Sequence, residues 1–187
     1  MTKLAIGINL HRCIGCNTCA VACKMQNNVS DGMLWNRVLT EGGNAPDTAG
    51  GSWDNPEMQH WPVACQHCEN PACVAVCPTG ATAKDEETGI VWTDHDVCIG
   101  CKTCETACPY GAPTFDEEAG YMLKCDMCKD EIARDRLPIC VAGCPMRALD
   151  FGTREEMVEK YGEGDVEGEP LPADTTDPNL ILTPHRN

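Results

Sequence analysis

Large aromatic side chains are nearly missing from this sequence: 2 Phe, 3 Tyr and 4 Trp in 187 residues. A core filled mainly by aromatic packing is therefore excluded, and something else must occupy the interior. Basic residues are also few, 14 Lys plus Arg against 29 Asp plus Glu, for a formal net charge of −15. That balance argues against nucleic acid and against an anionic membrane surface as partners. No stretch approaches the roughly 20 consecutive apolar residues that a bilayer-spanning helix needs. Nor does the sequence open with a secretory signal: Met1-Thr-Lys leads straight into a short alternating segment instead of an apolar core of about 7–15 residues.

Cysteine is what the sequence has in excess, 16 in all. The chain is organised around the stretch Cys65 to Pro109. It reads Cys65-x2-Cys68-x4-Cys73-x3-Cys77-Pro78, then twenty residues further on, Cys98-x2-Cys101-x2-Cys104-x3-Cys108-Pro109. The second run is the bacterial ferredoxin pattern, in which three cysteines hold one [4Fe–4S] cluster and the fourth reaches across to another. A cubane needs a thiolate at each of its four irons. A short loop with ligands every third residue wraps three corners, and a distant cysteine supplies the fourth. Two further groups frame this pair: Cys13-x2-Cys16-x2-Cys19-x3-Cys23, and Cys125-x2-Cys128-x11-Cys140-x3-Cys144-Pro145. The crossing rule then gives four ligand sets, one for each of four [4Fe–4S] clusters: Cys13, Cys16, Cys19 and Cys144; Cys23, Cys125, Cys128 and Cys140; Cys77, Cys98, Cys101 and Cys104; Cys65, Cys68, Cys73 and Cys108. A disulfide framework suits secreted chains, and structural zinc is compatible with Cys-x2-Cys pairs. The x2-x2-x3-Pro runs favour iron–sulfur clusters over both.

The remaining sequence fits an α+β fold of two pseudo-symmetric ferredoxin-like lobes, each holding two [4Fe–4S] clusters, with inserted loops and an extended C-terminal arm. One lobe joins residues 1–29 to 110–152, and the other is 63–109. Residues 30–62 form an insertion, and 153–187 a helix and a partner-binding arm. Leu4 to Leu10 reads as a strand, and the residues after Cys19 suit a short helix. Trp35 to Leu39 suggests a strand, and Glu41 to Asp54, rich in Gly, Asn and Asp, a surface loop flanked by Trp53 and Trp61 that pack. Ala81 to Lys84 and Ile90 to Thr93 form a hairpin around Asp85-Glu-Glu-Thr-Gly89. The theme repeats at Ala112 to Phe115 and Tyr121 to Lys124 around Asp116-Glu-Glu-Ala-Gly120. Helices are expected at Asp130 to Arg134 and Arg154 to Tyr161. Gly162 to Asn187, acidic and rich in proline, lacks a core pattern and is expected to lie on a partner.

Other chemistry is not encoded. Gly162-x-Gly164 follows no strand and is no nucleotide loop, and there is no serine elbow and no pair of histidines at metal spacing. No residue is expected to act as a catalyst. His67, between Cys65 and Cys68, is expected to hydrogen-bond a ligand rather than bind metal, since no cysteine is missing from the runs. The acidic triplets Asp85–Glu87 and Asp116–Glu118 read as solvated turns. Lys102 either favours a reduced cluster by its charge or is simply exposed.

The order of the four groups resembles that of the four-cluster iron–sulfur subunits of the DMSO reductase family of molybdenum enzymes. The likeness covers Leu4 to about Gly152. It is carried by Cys98-Ile-Gly-Cys101-Lys-Thr-Cys104, by Cys108-Pro-Tyr-Gly-Ala-Pro113, and by Cys140-Val-Ala-Gly-Cys144-Pro-Met-Arg-Ala-Leu-Asp-Phe-Gly152. The last piece is most similar to the sulfoxide-reducing branch. In nitrate-reducing relatives a tryptophan replaces one cysteine of the third group and leaves a [3Fe–4S] centre; here Cys101 stands there, so four cubanes are expected. The resemblance implies single-electron transfer in an anaerobic respiratory oxidoreductase. The partners it implies are a catalytic subunit carrying bis-molybdopterin guanine dinucleotide (bis-MGD) and a quinol-linked membrane anchor. It also implies a peripheral position on the cytoplasmic membrane, with the periplasmic face reached by co-export and the cytoplasmic face as the alternative. Two other readings stand beside it: a free multi-cluster ferredoxin serving several redox enzymes, and a zinc-structured interaction module.

Overall fold

The computed structural model describes residues 2–45, 48–162 and 175–183. In chain order the strands and helices are β1 (Leu4–Asn9), α1 (Thr18–Gln26), β2 (Arg37–Glu41), β3 (Gly43–Ala45), β4 (Thr48–Ser52), β5 (Asn55–Glu57), β6 (Gln59–Val63), α2 (Ala72–Ala75), β7 (Thr82–Lys84), β8 (Val91–Thr93), α3 (Thr103–Ala107), β9 (Thr114–Asp116), β10 (Tyr121–Leu123), α4 (Lys129–Ile132), α5 (Ile139–Ala142), β11 (Leu149–Thr153), α6 (Arg154–Tyr161) and β12 (Leu180–Thr183). Helix and strand content is mixed, and the sheets are small.

The alternation in β1 is used on both faces. Ile6 and Ile8 turn into a core with Leu10, Trp61, Val63 and Leu149, while Ala5 meets Met157 of α6 on the opposite face. Gly7 has to be small: a Cβ there would stand 2.6 Å from the Tyr161 ring. Helix α6 opens with a capping box, in which the Thr153 hydroxyl accepts from the Glu156 N–H and the Glu156 carboxylate accepts from the Thr153 N–H.

Both predicted hairpins form, β7–β8 and β9–β10. Each turn is held by its leading aspartate, whose Oδ1 accepts backbone N–H bonds: from Glu87 and Thr88 to Asp85, and from Glu118 and Ala119 to Asp116. The acidic triplets are therefore turn chemistry. The carboxyls of Asp85 and Asp116 sit below their usual range, Asp85 chiefly through the Thr88 N–H and Asp116 chiefly through the Ser30 hydroxyl.

Three expectations need correction. Glu41 to Asp54 is not a plain loop: β3, β4 and β5 form a small antiparallel sheet. Glycine, which reads as a loop signal, is used here for close approach, since a Cβ on Gly50 would lie 2.0 Å from the Gly42 carbonyl oxygen. Trp61 is buried and its Nε1 donates to Glu41 at 3.0 Å, but Trp53 stands fully in solvent. The third correction concerns the C-terminal arm. Residues 163–174 and 184–187 lie outside the described residues, but the segment between them docks on its own chain. β12 runs parallel to β1, with Ile6 opposite Leu180 and Asn9 opposite Thr183, and completes a β11-β1-β12 sheet. Ile181 and Leu182 are buried. Four apolar or β-branched residues are too few to read as a strand beside so much proline; the sheet edge that receives them is invisible in the sequence.

Candidate metal centre

The cysteines are delivered by a repeated local device. In the first group the chain turns at Gly15 (φ +68°) and Asn17 (φ +58°) and enters α1, which carries Cys19 and Cys23. The third group repeats this at Gly100 (φ +66°) and Lys102 (φ +60°), and α3 carries Cys104. Pro71 and Pro138 stand just before α2 and α5, which carry Cys73 and Cys140. Helix α1 packs on α5, and α2 on α3. The first group is thus beside the last, and the second beside the third.

Cys13, Cys16, Cys19 and Cys144 line one cavity. Cys65, Cys68, Cys73 and Cys108 line a second. The other eight thiols are related by their charges. Burial, and behind it the charge of Cys128, pushes Cys23 up to about 12. Burial, then Cys128 and Cys23, pushes Cys140 well above the ordinary thiol value. Cys125 is raised likewise by burial, then by Cys65, Cys23 and Cys140. Cys104 is raised by burial, with Cys101 and Cys98 adding to it. Cys101 is lowered, first by the Thr103 hydroxyl, against a smaller opposing charge from Cys77. The charge of Cys19 also bears on Cys140 and that of Cys65 on Cys125, while Cys73 lies in α2 and Cys77 just after it. Cys16 and Cys101, the middle cysteines of their x2-x2 runs, are exposed, whereas Cys125, Cys128 and Cys140 are buried.

The cavities fit a polynuclear cluster. Among the described residues no three His, Cys, Asp or Glu side chains converge to hold a single ion. The eight thiols that line the two cavities are instead spread around voids, as the corners of a cubane require and a tetrahedral zinc site does not. All sixteen cysteines are free. Backbone N–H groups are already aimed at sulfur: Thr82 at Cys77 (3.4 Å), Ala112 at Cys108 (3.4 Å), Ala148 at Cys144 (3.2 Å), Met122 at Cys98 (3.5 Å) and Met127 at Cys125 (3.4 Å). Such bonds favour the thiolate. Burial opposes ionisation at Cys77, but the N–H of Thr82 and the groups of Thr79 outweigh it and bring that thiol down to about 7. Burial raises Cys73 to about 12 and Cys19 and Cys68 to about 11. Loading such a site must expel protons.

The description "4Fe-4S dicluster domain" fits residues 56–154 and, in a second form, residues 12–81. The sequence is 43% identical over 188 residues to the corresponding polypeptide of the anaerobic dimethyl sulfoxide reductase of Escherichia coli (strain K12), covering 100% of this chain and 91% of that one. It belongs to the dimethyl sulfoxide reductase iron–sulfur subunit family. Similar at 42% over 173 residues is a subunit of the sulfite dehydrogenase of Allochromatium vinosum, with 81% of this chain and 69% of that one covered. The thiosulfate reductase electron transfer subunit PhsB of Salmonella typhi is 44% identical over 146 residues, covering 78% and 73%. As a member of this iron–sulfur subunit family, the protein is a non-catalytic electron-transfer subunit of an oxidoreductase complex and carries [4Fe–4S] clusters.

Three further side chains lie against sulfur. His67 is fully buried, and its Nε2 lies 3.8 Å from the sulfur of Cys125, not of its chain neighbours Cys65 or Cys68. Burial first, and then the Lys124 charge, hold the imidazole well below its usual pKa. The Thr176 hydroxyl donates to Cys68 at 3.1 Å. Lys124, which the sequence places at the end of a hairpin strand, is buried with its Nζ 3.7 Å from Cys65. Nothing in the sequence sets Lys124 or Thr176 apart; a fold is needed to bring either to a cysteine. Lys102, by contrast, is exposed and lays its ammonium over the Phe115 ring at 4.0 Å.

Proposed function

We propose that this subunit holds four [4Fe–4S] clusters and relays single electrons along them. A [4Fe–4S] cluster supplies a one-electron couple. One outer site is Cys13, Cys16, Cys19 and Cys144, and the other is Cys77, Cys98, Cys101 and Cys104. Between them lie Cys23, Cys125, Cys128 and Cys140, then Cys65, Cys68, Cys73 and Cys108. The observation that carries this reading is the contrast between exposed Cys16 and Cys101 and buried Cys125, Cys128 and Cys140. Exposure at the ends suits exchange with other subunits, and burial in the middle keeps the electron from solvent oxidants. Two ferredoxin-like lobes, residues 1–29 with 110–152 and residues 63–109, are supported by the α1–α5 and α2–α3 pairings and the matching hairpins.

The partners we infer are a bis-MGD catalytic subunit at one end and a quinol-linked membrane subunit at the other. The relatives are named as single polypeptides of larger reductases and dehydrogenases, which favours the first. No helix among the described residues is long and apolar enough to cross a membrane, so attachment is assigned to the partner. Placement on the periplasmic face of the cytoplasmic membrane by co-export belongs to the same proposal. Anaerobic isolation tests it. Sixteen cysteines at four per cubane predict about 16 iron and 16 sulfide per chain, together with a copurifying molybdenum-containing chain. Zinc, or iron near half that count after reconstitution, overturns the cluster assignment. A stable, fully loaded chain that no partner accompanies favours a free ferredoxin.

A further inference from the structure

The two inner thiol sets are joined by a pair of side chains with reciprocal connections. His67 is one peptide unit from Cys68, in the set with Cys65, and its ring reaches the other inner set at Cys125 Sγ, 3.8 Å from Nε2. Lys124 is one peptide unit from Cys125, and its ammonium reaches back to Cys65 Sγ at 3.7 Å. Each is covalently adjacent to one set and polar-bonded to the other.

The hydrogen bonds define both side chains. His67 Nδ1 accepts from the Val91 N–H at 3.0 Å, so it bears no proton, and the ring's hydrogen is on Nε2, facing Cys125. Lys124 Nζ has three acceptors, the Val91 carbonyl, the Cys125 carbonyl at 2.8 Å, and Cys65 Sγ. An ammonium has three hydrogens and no lone pair, so the count matches the charged form. Among the described residues no carboxylate is within ion-pair distance of it. A buried charge needs a counter-charge, and among the described residues the group that can supply one here is the thiolate of Cys65.

We propose that Lys124 and His67 form a bridge that sets the potentials of the two inner centres and couples them, a role that rests on the cluster assignment above. Adding one electron to a centre adds one negative charge. A fixed cation against Cys65 stabilises that reduced state and raises its potential, and the His67 N–H does the same more weakly at Cys125. No bond forms or breaks and no proton moves in the transfer; one electron leaves one inner centre and enters the other. The imidazole gives that electron a bonded path from Cys68 to Cys125.

The test is a redox titration of the fully assembled complex, followed by electron paramagnetic resonance. The outer centres are identified beforehand by Cys16→Ala and Cys101→Ala. Iron is counted first, and a wild-type protein without four clusters defeats the underlying assignment rather than the bridge. With four present, Lys124→Met should shift the one-electron equilibrium of the Cys65 centre at least tenfold toward oxidised, about 59 mV. Lys124→Arg should restore it to within about threefold, and the outer centres should move less than that. His67→Phe should shift the Cys125 centre in the same direction and weaken the magnetic coupling between the inner pair. The bridge is overturned if Lys124→Met leaves the potentials in place, moves the outer centres equally, or is matched in its effect by Lys124→Arg. Loss of iron in Lys124→Met that Lys124→Arg does not repair also overturns it, because shape and not charge would then be what the site needs.

Discussion

The loops Cys13–Cys19 and Cys98–Cys104 differ at one residue in seven, Asn17 against Lys102. Their backbones are near copies: positive φ at Gly15 and Gly100, and again at Asn17 and Lys102. In each, a threonine hydroxyl meets the middle cysteine, Thr18 at Cys16 (3.4 Å) and Thr103 at Cys101 (3.3 Å), and lowers that thiol's pKa. What differs is the packing above. Gly15 lies under the His60 ring of β6, whereas Gly100 lies under the Gly120 carbonyl and Phe115 of the β9–β10 hairpin. The surroundings of the thiols in the two loops are one design. Their individuality comes from the segment that covers each, an insertion at one end and the internal repeat at the other.

The harshest way to break the comparison is to remove the iron. If clusters supply the interior that aromatic residues do not, both ends should collapse together, with loss of far-ultraviolet dichroism and compactness. Survival of one end alone would show that its covering segment suffices. Acid should assist. Thiols raised by burial, such as Cys23 and Cys73 at about 12, hold protons in the iron-free chain and none when ligated. Lower pH therefore favours the iron-free form, and chelator-driven bleaching should quicken as pH falls.

Truncation after Tyr161 comes next and should separate the halves. It removes β12 with buried Ile181 and Leu182, each contributing about 1.5–3 kcal/mol. It also removes the Thr176 bond to Cys68 and the backbone bonds from Glu69 and Asn70 to Asp177 and Thr176. The Cys65 centre, whose Cys68 loses its Thr176 partner, should lose iron first, and the Cys101 end last. Assembly with a partner that fails while iron stays whole would instead restore the arm as a docking element.

How much of this was legible in the sequence depends on how local the signal is. The cysteine runs, both hairpins and α6 are written in contiguous residues with turn and capping chemistry, so spacing suffices to find them. The small sheet β3–β5 was hidden because glycine permits close strands as readily as loops. β12 was hidden because a short parallel strand is defined by the edge that accepts it, here β1, at the other end of the sequence. Lys124 and Thr176 illustrate the same limit at the site: a Lys after a strand and a Thr in an acidic stretch are ordinary until folding sets them against Cys65 and Cys68. His67 was legible only in part, because the sulfur it faces belongs to Cys125 and not to its own loop.

A milder break is Cys101→Ala beside Cys16→Ala. Each is the middle, exposed cysteine of its loop, so its neighbours can hold three corners without it. Each variant should yield one [3Fe–4S] and three [4Fe–4S] centres with the fold kept. Electron paramagnetic resonance of the oxidised protein should show about one three-iron spin per chain. The Cys101 variant should also slow turnover of the assembled complex by trapping electrons. Four intact cubanes in either variant would show that its cysteine is no ligand and that the crossed pairing is wrong at that end.

The finest discrimination uses the glycines under the covering segments. Gly15→Ala and Gly100→Ala both place a side chain at positive φ, a strain of about 1–3 kcal/mol that is common to the two. The collisions differ. At Gly15 the new Cβ would meet the His60 ring at 2.6 Å, and that ring can swing away at the expense of its 3.2 Å bond to Thr40. At Gly100 it would meet the Gly120 carbonyl oxygen at 2.6 Å, part of a turn fixed by the Gly120 N–H to Asp116 carbonyl bond, and Phe115 at 2.8 Å. Backbone cannot rotate aside, so Gly100→Ala should be the less stable by about 1–3 kcal/mol, the usual cost of overpacking. The midpoint of guanidinium-induced bleaching of the loaded protein measures the difference. Adding His60→Ala should rescue most of the Gly15→Ala collision, whereas adding Phe115→Ala should rescue little at Gly100, because the carbonyl stays. Equal midpoints, or rescue at both ends, would mean that the covering segments are equally yielding and that the two ends differ in nothing but Asn17 and Lys102.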